Sequence, residues 1–330
     1  RGLGDVYKRQ VKYAIAKIIS IKMRNKLIIG QLMDKEYAQL LPPFEKEYDA
    51  AFSFLEYIPA AYTAFRINAK QKYTWLHLDY KEAKMLPNVE ADMFKEFRKI
   101  IFVSRSCLEG FKEIYPDYSN KLLYIENIID DIVTKRKAEE SYSHDVRNKI
   151  YFSNDMLRIV SSSRIIFEHK GYDRMIRSLG RLERELNNLN YKWIVIGDGE
   201  DYIHMREMVE KEGISERVVF LGRQVNPFPI IKDMDLFVLP SRREGKPMAV
   251  TEALQLGVPV FVARYGSAEE QVCDGVDGII VDNSEEAIYE GLKSILTKKV
   301  NLSILKENIK RKKYCDFSSL KEIYNLVENL

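Results

Sequence analysis

Cysteine is scarce in this chain: Cys107, Cys273 and Cys315 are the only three among 330 residues, and they lie far apart. An odd, scattered set excludes a disulfide framework and offers no zinc-ligand spacing; it fits a reducing cytoplasm. No apolar run approaches the roughly 20 residues that span a bilayer. Charge of one sign is also lacking, with a net balance of only +3. Nucleic-acid binders concentrate basic charge on one face, so nucleic acid is not an expected partner. The chain shows no internal repeat, no low-complexity tract and no acidic triad for a divalent metal. It also lacks a GxGxxG turn after a first strand, which argues against a nicotinamide-dependent oxidoreductase.

What remains is the composition of a globular enzyme, 46% hydrophobic and 31% charged. A length of 330 residues predicts two domains. In the second half, strand-like runs at 156–163, 191–196, 217–221, 235–239, 258–263 and 278–282 alternate with helical patterns near 171–186, 200–212, 227–233, 247–256, 268–273 and 284–297. That alternation predicts parallel βαβ units in one Rossmann-like domain over 151–312. The first half, 11–130, is α/β but less complete, with strands expected at 49–55, 72–77, 99–103 and 122–125 and helices near 11–26, 83–95 and 106–115. The charged stretch 131–150 reads as a linker. The segment 303–330 reads as two helices broken near Asp316–Phe317, with 313–330 expected to return towards the first domain. DVYKRQ within residues 1–10 resembles a reading frame of a sequencing adapter, so a non-native scar is expected there.

Ligands of an open parallel sheet bind beyond the carboxyl ends of its strands. After the first strand of the second domain come Ser163-Arg164 and then Lys170-Gly171. Two cations at one strand exit can neutralise a diphosphate, or can be solvated surface charges. The turn Gly197-Asp198-Gly199 permits close backbone approach, or is simply tight. The loop Gly222-Arg223-Gln224-Val225-Asn226-Pro227 is polar, with Asn226 expected to cap the next helix. After the fourth strand, Arg243-Glu244-Gly245-Lys246-Pro247 leads into a helix with Pro247 at its first position and no evident cap, an arrangement open to an anion. Glu244 before that helix and Glu252 inside it bracket such a site, unless they are two unrelated surface glutamates.

Taken in order, Arg164, Lys170-Gly171-Tyr172-Asp173-Arg174, Gly197-Asp198-Gly199, Phe220-Leu221-Gly222 and Glu244-x7-Glu252 resemble the retaining glycosyltransferases of family four. YDAAFSFLEYIPA, WLHLDY, IFVSRS and YIENIID extend the resemblance over residues 47–285. The stretch NPFPIIKDMDLFVLPSRREGKPMAVTEAL is similar to members that build bacterial capsular or other surface polysaccharides. The resemblance implies the GT-B fold, two Rossmann-like domains facing across a cleft, here with the first domain incomplete. It implies transfer of a hexose-type sugar, with retention of configuration, from a UDP- or GDP-linked donor to a saccharide or lipid-linked acceptor. It implies no cofactor and no metal.

In that reading Arg164 and Lys170 bind the diphosphate and stabilise the leaving group. Glu244 meets the transferred sugar and Glu252 the ribose. Gly245, Lys246, Pro247, Met248, Ala249 and Val250 offer backbone to the phosphate or sugar, while Gly197, Gly199, Gln224 and Val225 complete the donor site. His77 matches a first-domain histidine that faces the donor sugar; on its own it reads as a core histidine ending a strand. A sugar-nucleotide-binding protein without turnover is the alternative. A glycoside hydrolase using Glu244 and Glu252 fits less well, since cations lie beside them.

Two departures stand out. Ser163 replaces the family's usual glycine before the arginine. Nothing before residue 47 resembles the family's opening strand and glycine-rich loop, which leads us to expect a truncated, weakened first domain and an inactive chain. Residues 11–29 carry five cations and no acid beside an apolar face. They read as a helix lying on the inner, anionic face of a membrane, or as an ordinary surface helix of a cytoplasmic protein.

Overall fold

The computed structural model describes residues 3–150, 153, 155–186, 188–315 and 317–328, which form two compact units. Residues up to 127 and from 317 make the first unit; 128–316 make the second.

The first unit holds a four-stranded parallel sheet in the order β1 (Phe44–Ser53), β2 (Ile67–Leu76), β3 (Lys99–Phe102), β4 (Leu122–Tyr124). One face packs Leu76 and Phe102 with Phe94 and Phe111. The other packs Tyr73, Trp75 and Ile101 against Ile323 and Leu326 of the helix Ser318–Glu328. The Tyr73 hydroxyl donates to the Leu326 carbonyl at 3.0 Å.

The pattern near 11–26 becomes two helices, Leu3–Met23 and Leu27–Ala38, parted at Arg24, whose φ of 51° leaves the helical region. The helix expected at 83–95 is reduced to Ala91–Lys95, because Lys84 and Asn88 adopt φ of 51° and 63° on either side of Pro87. A further helix, Ile58–Arg66, has no counterpart in the sequence reading; its alanines Ala60, Ala61 and Ala64 are buried. This unit also encloses carboxylates, among them Asp34, Glu56 and Glu90. Asp34, only 3% exposed, has no hydrogen-bond partner on either oxygen among the described residues. Burial, then Glu90 and Glu56, push it up to about 8. Burial likewise pushes Glu90 up to about 7, against hydrogen bonds from Gln31 and Tyr80.

The second unit is built on six parallel strands: β5 (Leu157–Ser162), β6 (Tyr191–Ile196), β7 (Val218–Gly222), β8 (Leu236–Leu239), β9 (Val260–Ala263) and β10 (Gly278–Val281). Their order is β10-β9-β8-β5-β6-β7. Strands β8 and β9 are buried at every residue, as continuous apolar runs covered on both faces should be. Trp193, Tyr172 and Leu292 belong to the core cluster on one side, and Phe237, Val250 and Val262 to that on the other. The helix Glu285–Leu296 shows why these segments form. Ser284 caps it by accepting from the Ala287 N–H at 3.1 Å, and Ile288, Leu292 and Ile295 fall on one buried face.

The stretch 131–150, expected as a linker, is largely helical, over Asp131–Ala138 and His144–Lys149, and belongs to the second unit. Asp130 and Ser143 cap these helices, whose buried residues Thr134, Ala138 and Val146 are too small and too few to mark an apolar face in sequence.

Candidate active site

Strand β5 lies between β8 and β6, so the chain winds away from it in both directions. Such a switch point opens a crevice at the carboxyl ends of the two central strands. The segments leaving β5 and β8 meet there. After β5 comes the short helix Phe167–Lys170, then Gly171 with φ of 66°, then the helix Tyr172–Glu185. Gly171 lies so near Pro240, just past β8, that a Cβ would collide with the Pro240 carbonyl oxygen. Arg174 ties the same place, donating from Nη2 to Pro240 O at 2.8 Å and from Nη1 to Asn283 O at 3.1 Å. Burial, and then Arg242, bring the Arg174 guanidinium down to about 10.

Asp173 completes the brace. Arg242 donates to both its oxygens at 2.7 and 2.8 Å, and Arg177 adds a third bond at 2.8 Å. Burial raises the Asp173 carboxyl, but the two arginines outweigh it and hold it below the usual range. Bidentate guanidinium–carboxylate contacts are directional, so this lattice sets the register of one loop on the other.

The result is direct contact between the predicted residues Lys170 and Glu244. Lys170 Nζ donates to Glu244 Oε1 at 2.6 Å, and Ser241 Oγ donates to the same oxygen at 2.6 Å. Their side chains are 20% and 11% exposed, far more enclosed than a typical surface pair.

At the exits of β5, β6 and β7 a cavity of about 600 Å³ is lined by Ser163, Arg164, Gly197, Asp198, Arg223 and Gln224, among others; Lys170 and Glu244 are not among its lining residues. Arg164 is exposed there, and its guanidinium makes no hydrogen bond or ion pair with any described residue. Gly197 and Gly199 have a structural task that their sequence did not disclose. A Cβ on either would strike the carbonyl oxygen of Ser163 or Ile165, so both glycines let the β6 turn press against the β5 loop. Ile165 N donates to Asp198 O at 2.9 Å across that contact. Ser163 fits in the glycine's place by turning its hydroxyl to within 2.6 Å of the Tyr172 hydroxyl.

The helix after Glu244 runs from Met248 to Gln255, so Pro247 precedes its first residue rather than occupying it, with extended backbone at φ −68° and ψ 116°. Proline has no backbone N–H to leave unsatisfied, and its fixed φ suits either place. No side chain caps the helix. Gln271 braces the entrance, donating to Pro247 O and Thr251 Oγ1 at 3.0 Å each. Lys246 and Val250 are buried, whereas Met248 and Val225 are exposed. Glu252 is half-buried, and its carboxylate has no hydrogen-bond partner among the described residues. Burial pushes it up, against a smaller opposing effect of Lys137. Pro227, not Asn226, is the N-cap of the helix Phe228–Lys232, and Asn226 one residue earlier accepts from Phe228 N through Oδ1 at 3.2 Å.

His77 belongs to the first unit. Its backbone N–H donates to Glu56 Oε2 at 3.4 Å, its Nδ1 is buried without a hydrogen-bond partner, and burial lowers its pKa. Among the described residues, no group of three or more His, Cys, Asp or Glu side chains is placed to hold a metal ion. Sequence reasoning missed Ser241 and Arg242 as parts of the site.

Comparison with known proteins identifies the fold and the family. An uncharacterized glycosyltransferase of Methanocaldococcus jannaschii is 27% identical over 244 residues, 64% of this chain and 59% of that protein. The GDP-mannose-dependent alpha-(1-6)-phosphatidylinositol monomannoside mannosyltransferase of Mycolicibacterium smegmatis is 29% identical over 195 residues, 56% of this chain and 49% of that one. The chain thus spans less than two thirds of either relative. The solved structure of HepE from Anabaena with UDP-glucose matches with a TM-score of 0.63 at 19% identity, covering 79% of this chain and 72% of that one. Two parallel α/β sheets in this arrangement are the GT-B fold of solved glycosyltransferases. The sequence model of the glycosyl transferases group 1 family matches residues 144–314, more than half the chain and all the strands of the second unit. The chain belongs to the glycosyl transferases group 1 family.

Proposed function

We propose that this protein transfers a hexose-type sugar from a nucleoside-diphosphate-sugar to a saccharide or lipid-linked acceptor, with retention of configuration, in surface polysaccharide or glycolipid biosynthesis. The observation that carries the reading is the Lys170–Glu244 contact at the switch point, together with Arg164, unpaired among the described residues, in a cavity at the exit of the same strand β5. Cations at that strand exit supply counter-charge to a diphosphate leaving group, the task that a divalent ion performs in other transferases. Glu252, half-buried with no protein donor, suits the paired hydroxyls of a ribose, which would offset its desolvation. Glu244 accepts from hydroxyls of the transferred sugar. Retention follows if the acceptor attacks on the face from which the diphosphate departs and a departing phosphate oxygen takes the acceptor proton. Arg164 and Lys170 then act electrostatically, and no protein nucleophile is required.

The donor base is uracil or guanine. The mycobacterial relative depends on GDP-mannose, and the matched Anabaena structure holds UDP-glucose. An acceptor at a membrane surface is supported by the helix Leu3–Met23, which exposes Val11, Ile15, Ile18 and Ile21 and carries Lys12, Lys17 and Lys22. Among the described residues, no helix is long and apolar enough to cross a membrane, so the association would be peripheral, on the cytoplasmic face. Co-sedimentation with anionic vesicles, absent with neutral ones, is the expected result; equal binding to both removes the membrane part.

A nucleotide-sugar panel read by thermal shift tests the donor assignment. A ligand at about 100 times its dissociation constant stabilises the protein by about 2.7 kcal/mol, enough to move the transition measurably. A UDP- or GDP-sugar should raise Tm in the wild type and do so far less in Glu252→Ala and Lys170→Ala. If no nucleotide sugar stabilises the chain, or both variants respond like the wild type, the reading fails.

A further inference from the structure

We propose that Ser241 is a positioning residue for Glu244, an assignment that rests on the donor reading above. Ser241 is completely buried in the loop that leaves β8. Its hydroxyl donates to Glu244 Oε1 at 2.6 Å, and Lys170 Nζ donates to that same oxygen at 2.6 Å. One carboxylate oxygen is therefore occupied by two short, charge-assisted bonds. Oε2 has no hydrogen-bond partner among the described residues and is the oxygen left to accept from a sugar hydroxyl. A glutamate has three side-chain torsions to fix before it can meet a ligand in one geometry. The two bonds on Oε1 fix them in advance, from opposite walls of the crevice: Lys170 from the β5 side and Ser241 from the β8 side. Lysine contributes charge as well as position. Serine contributes position alone, so its removal separates the two effects.

The consequence is selective. Loss of the Ser241 hydroxyl leaves the charges facing a diphosphate in place and loosens only the group that meets the sugar. The full chain is titrated calorimetrically with UDP, UDP-glucose, GDP and GDP-mannose. For the pair that the wild type binds, Ser241→Ala should weaken the nucleotide-sugar about tenfold, the size of one hydrogen bond to a charged group. The bare nucleoside diphosphate should change by less than about twofold. In a Glu244→Ala background, where the acceptor is gone, the Ser241→Ala change should add nothing further, because the two residues act as one unit. Ser241→Thr and Ser241→Val, alike in volume, differ only in the hydroxyl, and Thr should bind the nucleotide-sugar more tightly than Val; this pair decides the matter if Ser241→Ala folds poorly. Equal losses for diphosphate and nucleotide-sugar, additive losses with Glu244→Ala, or no loss at all would overturn the assignment. A wild type that binds neither pair would instead overturn the donor reading on which it rests.

Discussion

At residue 171 a hydrogen atom stands where other amino acids carry a methyl, and the site depends on it. Gly171 has φ of 66° and lies against the Pro240 carbonyl, so a side chain there meets both a disfavoured backbone region and a blocked space. Gly171→Ala should lower stability by about 1–3 kcal/mol, the usual cost of such strain, and should draw Lys170 away from Glu244. Thermal denaturation reads the first effect, and loss of the nucleotide-induced rise in Tm reads the second. An unchanged Tm with an unchanged nucleotide response would contradict this account. The pairing of Lys170 with Gly171 was visible in the sequence because a cation before a glycine at a strand exit has a chemical meaning. The glycine's real neighbour was not visible, because Pro240 lies in a loop on a different strand. Ser241 escaped for the same reason: a serine between proline and arginine carries no sign of the bond it makes to Glu244.

At the scale of elements, the second unit was almost fully legible. Its six strands are apolar runs of four to six residues separated by amphipathic helices, and each run lies within about two residues of its expected place. Segments with weaker apolar faces were not. The stretch 131–150 is rich in lysine, arginine and acid, and its helices are held by caps rather than by a broad apolar stripe. Asp130 accepts from Ile132 N at 2.9 Å and from Val133 N at 3.3 Å. With so little burial behind it, the helix Asp131–Ala138 should depend strongly on that cap. Asp130→Ala should cost about 1 kcal/mol and raise amide hydrogen exchange in 131–138 more than in the strands of the second unit. Uniform exchange throughout that unit would show that the cap is not what holds the helix. The turns at Lys84 and Asn88 were hidden for another reason, since left-handed backbone at a lysine is decided by packing and not by propensity.

For the molecule as a whole, the enclosed acids Asp34 and Glu90 set how stability responds to pH. Asp34 has a folded-state pKa of about 8 against an ordinary value of 3.8, and Glu90 about 7 against 4.5. Each is raised on folding, so the stabilising condition is full below about pH 4 for these two groups and is lost as pH rises through 7 and 8. Tm should therefore fall between about pH 4 and 8 by more than surface groups explain, and level off above that. Asp34→Asn should flatten that slope and raise Tm at pH 8, where the wild-type carboxylate is ionised in a dry setting. A slope unaffected by the substitution would place the pH dependence elsewhere. Nothing in LIIGQLMDKEYA marks Asp34 as interior. An aspartate in an amphipathic helix usually faces water, and only the packing of Leu27–Ala38 encloses it.

The same buried acid makes unfolding a chemical event as well as a mechanical one. Near neutrality Asp34 keeps its proton while folded and gives it up once hydrated, so each molecule that melts should release about one proton from Asp34 and about half of one more from Glu90. The calorimetric heat of melting will then change with the ionisation enthalpy of the buffer, and the difference between phosphate and Tris counts the protons that the folded chain was holding.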